Sequence, residues 1–259
     1  MKIAIVTGAS SGMGKEFVRQ LSEDYRCLDE IWVISRNRRK LEELRKISEK
    51  RLVVLPLDLR KRADQKRLRD KLCQERPAIK ILVNGAGVGK IGEFAELSLG
   101  SQRSAVRLNC EGLTMVTYLC LPFMHQGSRI LMMASASAFL PQPGFAVYSA
   151  SKAYVLSFAR ALRAEIRERG ITVTAICPGP VDTPFFEKAE QIHKMASYKK
   201  SSMAVPQEVV AKAIRDGARG RELSVYGVRI KALMVGSKLI PHRLLVDLTQ
   251  DLNRMEKRD

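Results

Sequence analysis

Ile3-Ala4-Ile5-Val6-Thr7-Gly8-Ala9-Ser10-Ser11-Gly12-Met13-Gly14 decides the fold. The apolar run over residues 3–6 has no polar alternation, so it reads as a strand buried on both faces. Glycines follow, and a helical pattern runs over 12–25. Gly8 suits a tight turn, Gly12 lets the backbone approach a pyrophosphate, and Gly14 lets helix pack on strand. A helix N-terminus there offers free N–H groups and a positive dipole end to phosphates. The G-x-x-x-G-x-G spacing in this strand-turn-helix setting predicts a dinucleotide-binding unit; the alternative is an ordinary Gly-rich turn.

Working outward, the same alternation continues. Strands are expected at 31–35, 52–57, 79–84, 129–134, 171–177 and 223–226, with helices at 38–50, 63–75, 101–124 and 148–169. Strands separated by helices of ten or more residues imply parallel βαβ units. The expected fold class is therefore α/β: a Rossmann-like, doubly wound, seven-stranded, mostly parallel sheet with helices on both faces. Neither a repeat nor a linker divides the chain, so a single domain over 1–259 is expected.

Composition bounds the function. The chain has 259 residues, 46% hydrophobic and 28% charged, which excludes disordered and fibrous classes. Its formal net charge is +18. Such a charge could serve nucleic acid, an anionic membrane or an anionic ligand. Residues 131–187 hold five Lys or Arg against four Asp or Glu, so the excess lies elsewhere and is diffuse. No long basic run or nucleic-acid motif accompanies it, and a nucleic-acid partner is not expected. Cys27, Cys73, Cys110, Cys120 and Cys177 lack C-x-x-C spacing; buried, reduced thiols and no metal site are expected. Neither a signal peptide nor a transmembrane helix fits, and the cytoplasm is the expected compartment.

The second strand ends in Ser35-Arg36-Asn37-Arg38-Arg39, without the acidic residue that bonds a ribose 2′-hydroxyl in NAD sites. Guanidinium groups bind a 2′-phosphate through paired N–H donors. NADP(H) is thus preferred over NAD(H), with Arg36 the first candidate and Arg38 or Arg39 the second. Asp58, after the third strand, is placed to accept from the adenine amino group.

Tyr148 and Lys152 stand four residues apart, on one face of a helix. An ammonium nearby favours the phenolate and lowers the tyrosine pKa. A tyrosine so tuned can donate a proton to a ketone or take one from an alcohol. Ser135 ends the fifth strand and brings a hydroxyl to the carboxyl edge of the sheet, where ligands of such sheets bind.

With these motifs in order, the chain resembles the short-chain dehydrogenase/reductases over roughly residues 1–226. The matching positions are Thr7–Gly14, Asp58, Asn84-Gly85-Ala86-Gly87, Asn109, Ser135, Tyr148 with Lys152, and Pro178-Gly179-Pro180-Val181-Asp182-Thr183. The resemblance implies that Tyr148 is the acid/base and that Ser135 polarises the substrate oxygen. It implies that Lys152 binds the nicotinamide ribose, and that Asn109 kinks a long helix and holds a relay water. It places cofactor contacts at Gly8, Ser10, Ser11, Gly12, Met13, Gly14, Arg36, Arg39, Asp58, Leu59, Asn84, Gly85, Ala86, Tyr148 and Lys152. Pro178, Gly179, Val181 and Thr183 would pack at the nicotinamide. Gly85 departs from the family's Asn-Asn-Ala-Gly, which bears on local rigidity. The implied activity interconverts a secondary alcohol and a ketone in a homodimer or homotetramer; the alternative is a non-catalytic dinucleotide sensor on the same fold.

Residues 185–205 read as a substrate lid. Phe185, Phe186, Ile192, Met195, Tyr198 and Met203 suit a bulky, apolar ketone such as a steroid- or lipid-like one. Lys188, Lys194, Lys199 and Lys200 suit an acidic tail on it, or are simply solvated. Residues 227–259 form an extension in which Leu244, Leu245, Leu248 and Leu252 recur at helical spacing. That helix either packs on the body or a partner subunit, or forms a lid or a peripheral membrane contact.

Overall fold

The computed structural model describes residues 1–190 and 203–255. Its seven strands are β1 Lys2–Thr7, β2 Glu30–Ser35, β3 Arg51–Pro56, β4 Ala78–Asn84, β5 Met124–Met133, β6 Thr172–Ile176 and β7 Leu223–Ser224. They lie in the order β3-β2-β1-β4-β5-β6-β7. Every pairing is parallel, so the sheet is wholly rather than mostly parallel.

Alternate side chains of β1 explain the two-sided burial. Ile3 and Ile5 join a core with Leu68, Leu72, Leu113, Val116, Val155 and Leu156. Those residues come from α3 Arg62–Glu75, α5 Leu113–Cys120 and α6 Ala146–Glu165. Ala4 and Val6 face the other way, against Phe17, Val18, Leu21, Val210 and Ile214. That layer is built by α1 Gly12–Asp24 and α8 Pro206–Ala218. The strand period of two therefore feeds two cores, one on each face of the sheet.

Element ends differ from the sequence expectation where turn chemistry overrides periodicity. The helix expected over 38–50 is only α2 Arg38–Glu42, tightened into a 3₁₀ turn over Glu43–Lys46. The helix expected over 101–124 is α4 Leu99–Val106, a π turn over Arg107–Gly112, and α5. Pro122 closes it in a 3₁₀ turn, and Met124 already belongs to β5. α8 had no counterpart in the sequence reading. Its signals were present: Pro206 in the first turn, Glu208 in the same turn, and Val209, Val210, Ala213 and Ile214 on one buried face. Cys27 and Cys73 are exposed, against expectation, because one lies in the turn after α1 and the other on the outer side of α3. The remaining helices are α7 Pro184–Ala189, α9 Val228–Leu239 and α10 His242–Met255.

The chain reverses direction across the sheet between β1 and β4. The crevice at their carboxyl ends is where an open parallel sheet binds ligands.

Candidate active site

The crevice starts at Thr7. Its hydroxyl accepts from the backbone N–H groups of Gly85 and Ala86, at 3.0 and 3.1 Å. This ties the β1 exit to the β4 exit. A side chain at Gly85 would place its Cβ 2.7 Å from the Thr7 carbonyl, so the departure from the family pattern fits a tighter seam rather than a looser one. Asn84 donates to Thr117 Oγ1 at 2.9 Å and points away from the crevice. Its side chain thereby ties β4 to α5.

The glycine loop is closed by backbone. Gly8 has φ +71° and its N–H donates to Ile34 O at 2.8 Å. A Cβ on Gly14 would lie 2.2 Å from the Gly8 carbonyl. Ser11, at the N-cap of α1, makes no side-chain cap bond, so no capping side chain takes the first helical N–H groups. Such a cradle suits a pyrophosphate. Ser10, Ser11, Gly12 and Met13 all line it.

At the other end of the crevice the charged residues sort themselves. Arg36, Arg38 and Lys40 line the space. Arg39 does not: its side chain is 91% exposed and pairs with Glu43 at 3.4 Å. The helical i,i+4 geometry draws it outward, away from the side of α2 that faces the cleft. Asp58 is gripped by Arg60, Nε to Oδ1 at 2.8 Å and Nη2 to Oδ2 at 2.7 Å. This chelate, more than the nearby Arg36, holds the Asp58 carboxyl low, at about 2. Arg60 also donates to Ser104 Oγ at 2.6 Å. The sequence reading missed Arg60, whose only signal was a cation two residues after Asp58.

Three candidate catalytic side chains, Ser135, Tyr148 and Lys152, line the same cleft. Tyr148 lies against Ser135, and Phe145 stacks on its ring with centroids 4.2 Å apart. Phe185 meets its ring at 5.4 Å. Gly89 leaves the space: a Cβ there would come within 2.7 Å of Tyr148 Cδ2. Phe145 and Gly89 were not singled out in the sequence, because their role is visible only once α6 meets the loop after β4.

The direction of the Tyr148 pKa differs from expectation. Burial pushes it up to about 12, and only the Ser135 hydrogen bond pulls the other way. The reason is the aim of Lys152. Its ammonium donates to the Met133 carbonyl at 2.6 Å and sits 5.6 Å from the Tyr148 ring centre. Burial lowers Lys152 to about 8. The ammonium is thus satisfied by the Met133 carbonyl, and the Tyr148 hydroxyl is governed by burial and Ser135.

Asn109 is fully buried in the π turn, which interrupts the regular helix there. It exchanges hydrogen bonds with Val88, accepting at 2.9 Å and donating at 2.8 Å, and donates to Ser151 Oγ at 2.9 Å. It thus locks the loop after β4 to α6. Ser137 lies beside Ser135; its N–H donates to Ser135 Oγ at 3.1 Å, and its hydroxyl faces Gln142 Oε1.

Together these residues line one continuous cleft of about 2100 Å³, which exceeds the usual small-ligand range of about 300–1,000 Å³. That volume exceeds what one small ligand needs. Leu59, Ala86, Pro178, Gly179, Val181 and Thr183 line its floor, and Phe185, Phe186, Ile230 and Leu233 its far wall. Of the expected lid, residues 191–202 lie outside the described residues. Ile192, Lys194, Met195, Tyr198, Lys199 and Lys200 fall among them, and the side chain of Lys188 is likewise not described.

Comparison with known proteins agrees with this geometry. A very-long-chain 3-oxoacyl-CoA reductase of Aspergillus oryzae is 35% identical over 184 residues, 67% of this chain and 52% of that one. A short-chain dehydrogenase of Sphingobium yanoikuyae, solved in complex with NADPH, superposes with TM-score 0.77 at 23% identity, covering 92% of this chain and 94% of that one. A short-chain dehydrogenase/reductase of Burkholderia phymatum, solved in complex with NAD, gives TM-score 0.76 at 22% identity over 90% and 92%. At those identities the two structures speak for the fold alone. Residues 2–194 match the family described as short chain dehydrogenase, and the chain belongs to that family of oxidoreductases.

Proposed function

We propose that this oxidoreductase uses NADP(H) in preference to NAD(H) to interconvert a bulky, apolar ketone and its secondary alcohol. The carrying observation is the half-buried Tyr148, stacked on Phe145 and beside Ser135, with the Lys152 ammonium 5.6 Å from its ring centre, in a cleft large enough for two ligands. The cofactor, when bound, supplies or receives the hydride. Its residues do the rest. The glycine cradle and the N-terminus of α1 hold the pyrophosphate. Arg36 holds the 2′-phosphate, and Asp58, fixed by Arg60, faces the adenine. Lys152 turns its ammonium to the ribose and stabilises charge beside Tyr148. Ser135 donates to the substrate oxygen, and Tyr148 delivers the proton to it, or removes it in the reverse direction.

The near-neutral catalytic segment and the Phe145, Phe185 and Phe186 rings favour an apolar substrate over a charged one. Leu99, Val106, Tyr118 and Tyr154 form an exposed apolar face on α4, α5 and α6, which supports association into a homodimer or homotetramer. No helix among the described residues is long and apolar enough to cross a membrane. A panel of ketones and alcohols, followed by NADPH and NADH absorbance, tests the reading. Turnover of bulky ketones with NADPH is expected; inertness across the panel with both cofactors would remove it.

A further inference from the structure

The outer face of α9 is unlike the rest of the surface. Of the twelve large hydrophobic residues exposed among the described residues, five fall between Val228 and Leu244. Val228 is 82% exposed, Val235 50% and Leu239 78%. Spacings of seven and four place these three on one side of the helix. Lys231 and Lys238 repeat the same seven-residue step, three positions after Val228 and Val235, and both are exposed. The opposite side is already used: Ile230, Leu233 and Met234 pack against the sheet core. Among the described residues, the outer stripe covers no core.

Charge identifies the occupant. From Val225 to Val246 the chain has no Asp or Glu, while Arg229, Lys231, Lys238 and Arg243 are all cationic. None of the four is ion-paired among the described residues. A second copy of this chain, docked about a two-fold axis, would set these cations against their own mates. An anionic bilayer does the reverse. Its acyl boundary takes the valines and leucine, while the lysines reach back to phosphate.

We infer that the outer face of α9, continued by His242, Arg243 and Leu244, docks this enzyme on anionic lipid bilayers. Arg229, Ile230 and Leu233 of the same helix line the substrate cleft. One helix, about 10 Å across, then separates the bilayer from the cleft. A membrane-dissolved ketone would reach the site without crossing bulk water. The docking itself does not depend on the reductase reading, because lipid binding is read without cofactor or substrate.

Full-length protein is co-sedimented with vesicles of phosphatidylcholine alone and of phosphatidylcholine mixed with phosphatidylglycerol. Binding to the mixed vesicles is expected to be at least about tenfold tighter, and to fall at about 1 M salt, where screening reaches about 3 Å. The Lys231→Glu/Lys238→Glu pair should lose at least about tenfold, each cation contributing roughly fivefold. Val235→Asp/Leu239→Asp should lose as much, with circular dichroism and thermal melting unchanged. Should that apolar pair fail to fold, the lysine pair alone decides. Equal partition onto both vesicle types, or none, overturns the inference. So does self-association that Val235→Asp/Leu239→Asp abolishes while vesicle binding stays absent.

Discussion

The two walls of the cleft are built from different materials. The wall at the ends of β1 and β4 is mostly backbone. A Cβ added at Gly8, Gly14 or Gly85 would lie 2.8, 2.2 or 2.7 Å from main-chain atoms, and the Thr7 hydroxyl accepts from two N–H groups just past β4. The facing wall, from Phe145 through α7 to α9, is side chain: Phe145, Phe185, Phe186, Ile230 and Leu233. Backbone can be matched to a ligand that never changes. Side chains can be exchanged without rebuilding the sheet. In the proposed function the first wall would hold the cofactor, and the second would set which substrate enters.

The sharpest way to break the comparison is on the backbone wall. Gly14→Ala puts a methyl into the Gly8 carbonyl. Overpacking of this kind costs about 3 kcal/mol or more. Cofactor affinity is expected to fall more than about 100-fold, an effect of about 2.7 kcal/mol. Fluorescence titration with NADPH and a thermal melt check both outcomes.

Lys152→Met comes next. Loss of a positioned ammonium should lower kcat by about 10²–10⁴-fold. The variant also carries a pH signature. Burial lowers Lys152 in the folded protein from 10.5 to about 8. Between those values the unfolded chain holds more protons, so folded stability rises with pH across that window. Tyr148, raised from 10 to about 12, acts oppositely: stability falls with pH between about 10 and 12. Melting temperatures from pH 7.5 to 10, taken without cofactor, should show wild type gaining on Lys152→Met as pH rises. Parallel curves would contradict the assignment of a strained, buried ammonium.

Arg36→Ala should reduce the NADPH over NADH preference in kcat/KM by about tenfold, the effect of one charge-assisted pair of about 1.5 kcal/mol. Arg39→Ala should leave that ratio within about twofold, since the side chain points to solvent. Smaller than the Arg36 effect is that of Phe145→Ala on the side-chain wall. It removes a stacked ring, worth about 1 kcal/mol beyond burial. KM for bulky ketones should rise about fivefold while NADPH binding is unchanged, as steady-state kinetics would show.

The difference between the walls also explains what was legible in the sequence. Gly8, Gly12 and Gly14 announce themselves because few residues tolerate those backbone geometries. Tyr148, Lys152 and Ser135 could be placed because helix spacing and strand ends fix them. Arg39 and Arg36 look alike in a string of letters; only the turn of α2 shows that one meets Glu43 and the other the cleft. Asn84 has its partner Thr117 on α5, 33 residues away. Arg60 and Phe145 act through contacts with Asp58 and Tyr148 that no periodicity reveals. The direction of the Tyr148 pKa depended on where an ammonium points, which spacing alone does not settle.

Tyr148→Phe tests the central claim most directly. The ring and its stacking on Phe145 are kept, and only the hydroxyl is lost. Turnover of the best ketone should fall at least about 10³-fold, with NADPH affinity within about threefold of wild type, since about 0.7 kcal/mol is the most a peripheral hydroxyl should contribute there. Turnover within about tenfold of wild type, or about 1.4 kcal/mol in barrier, would contradict Tyr148 as the group that moves the proton.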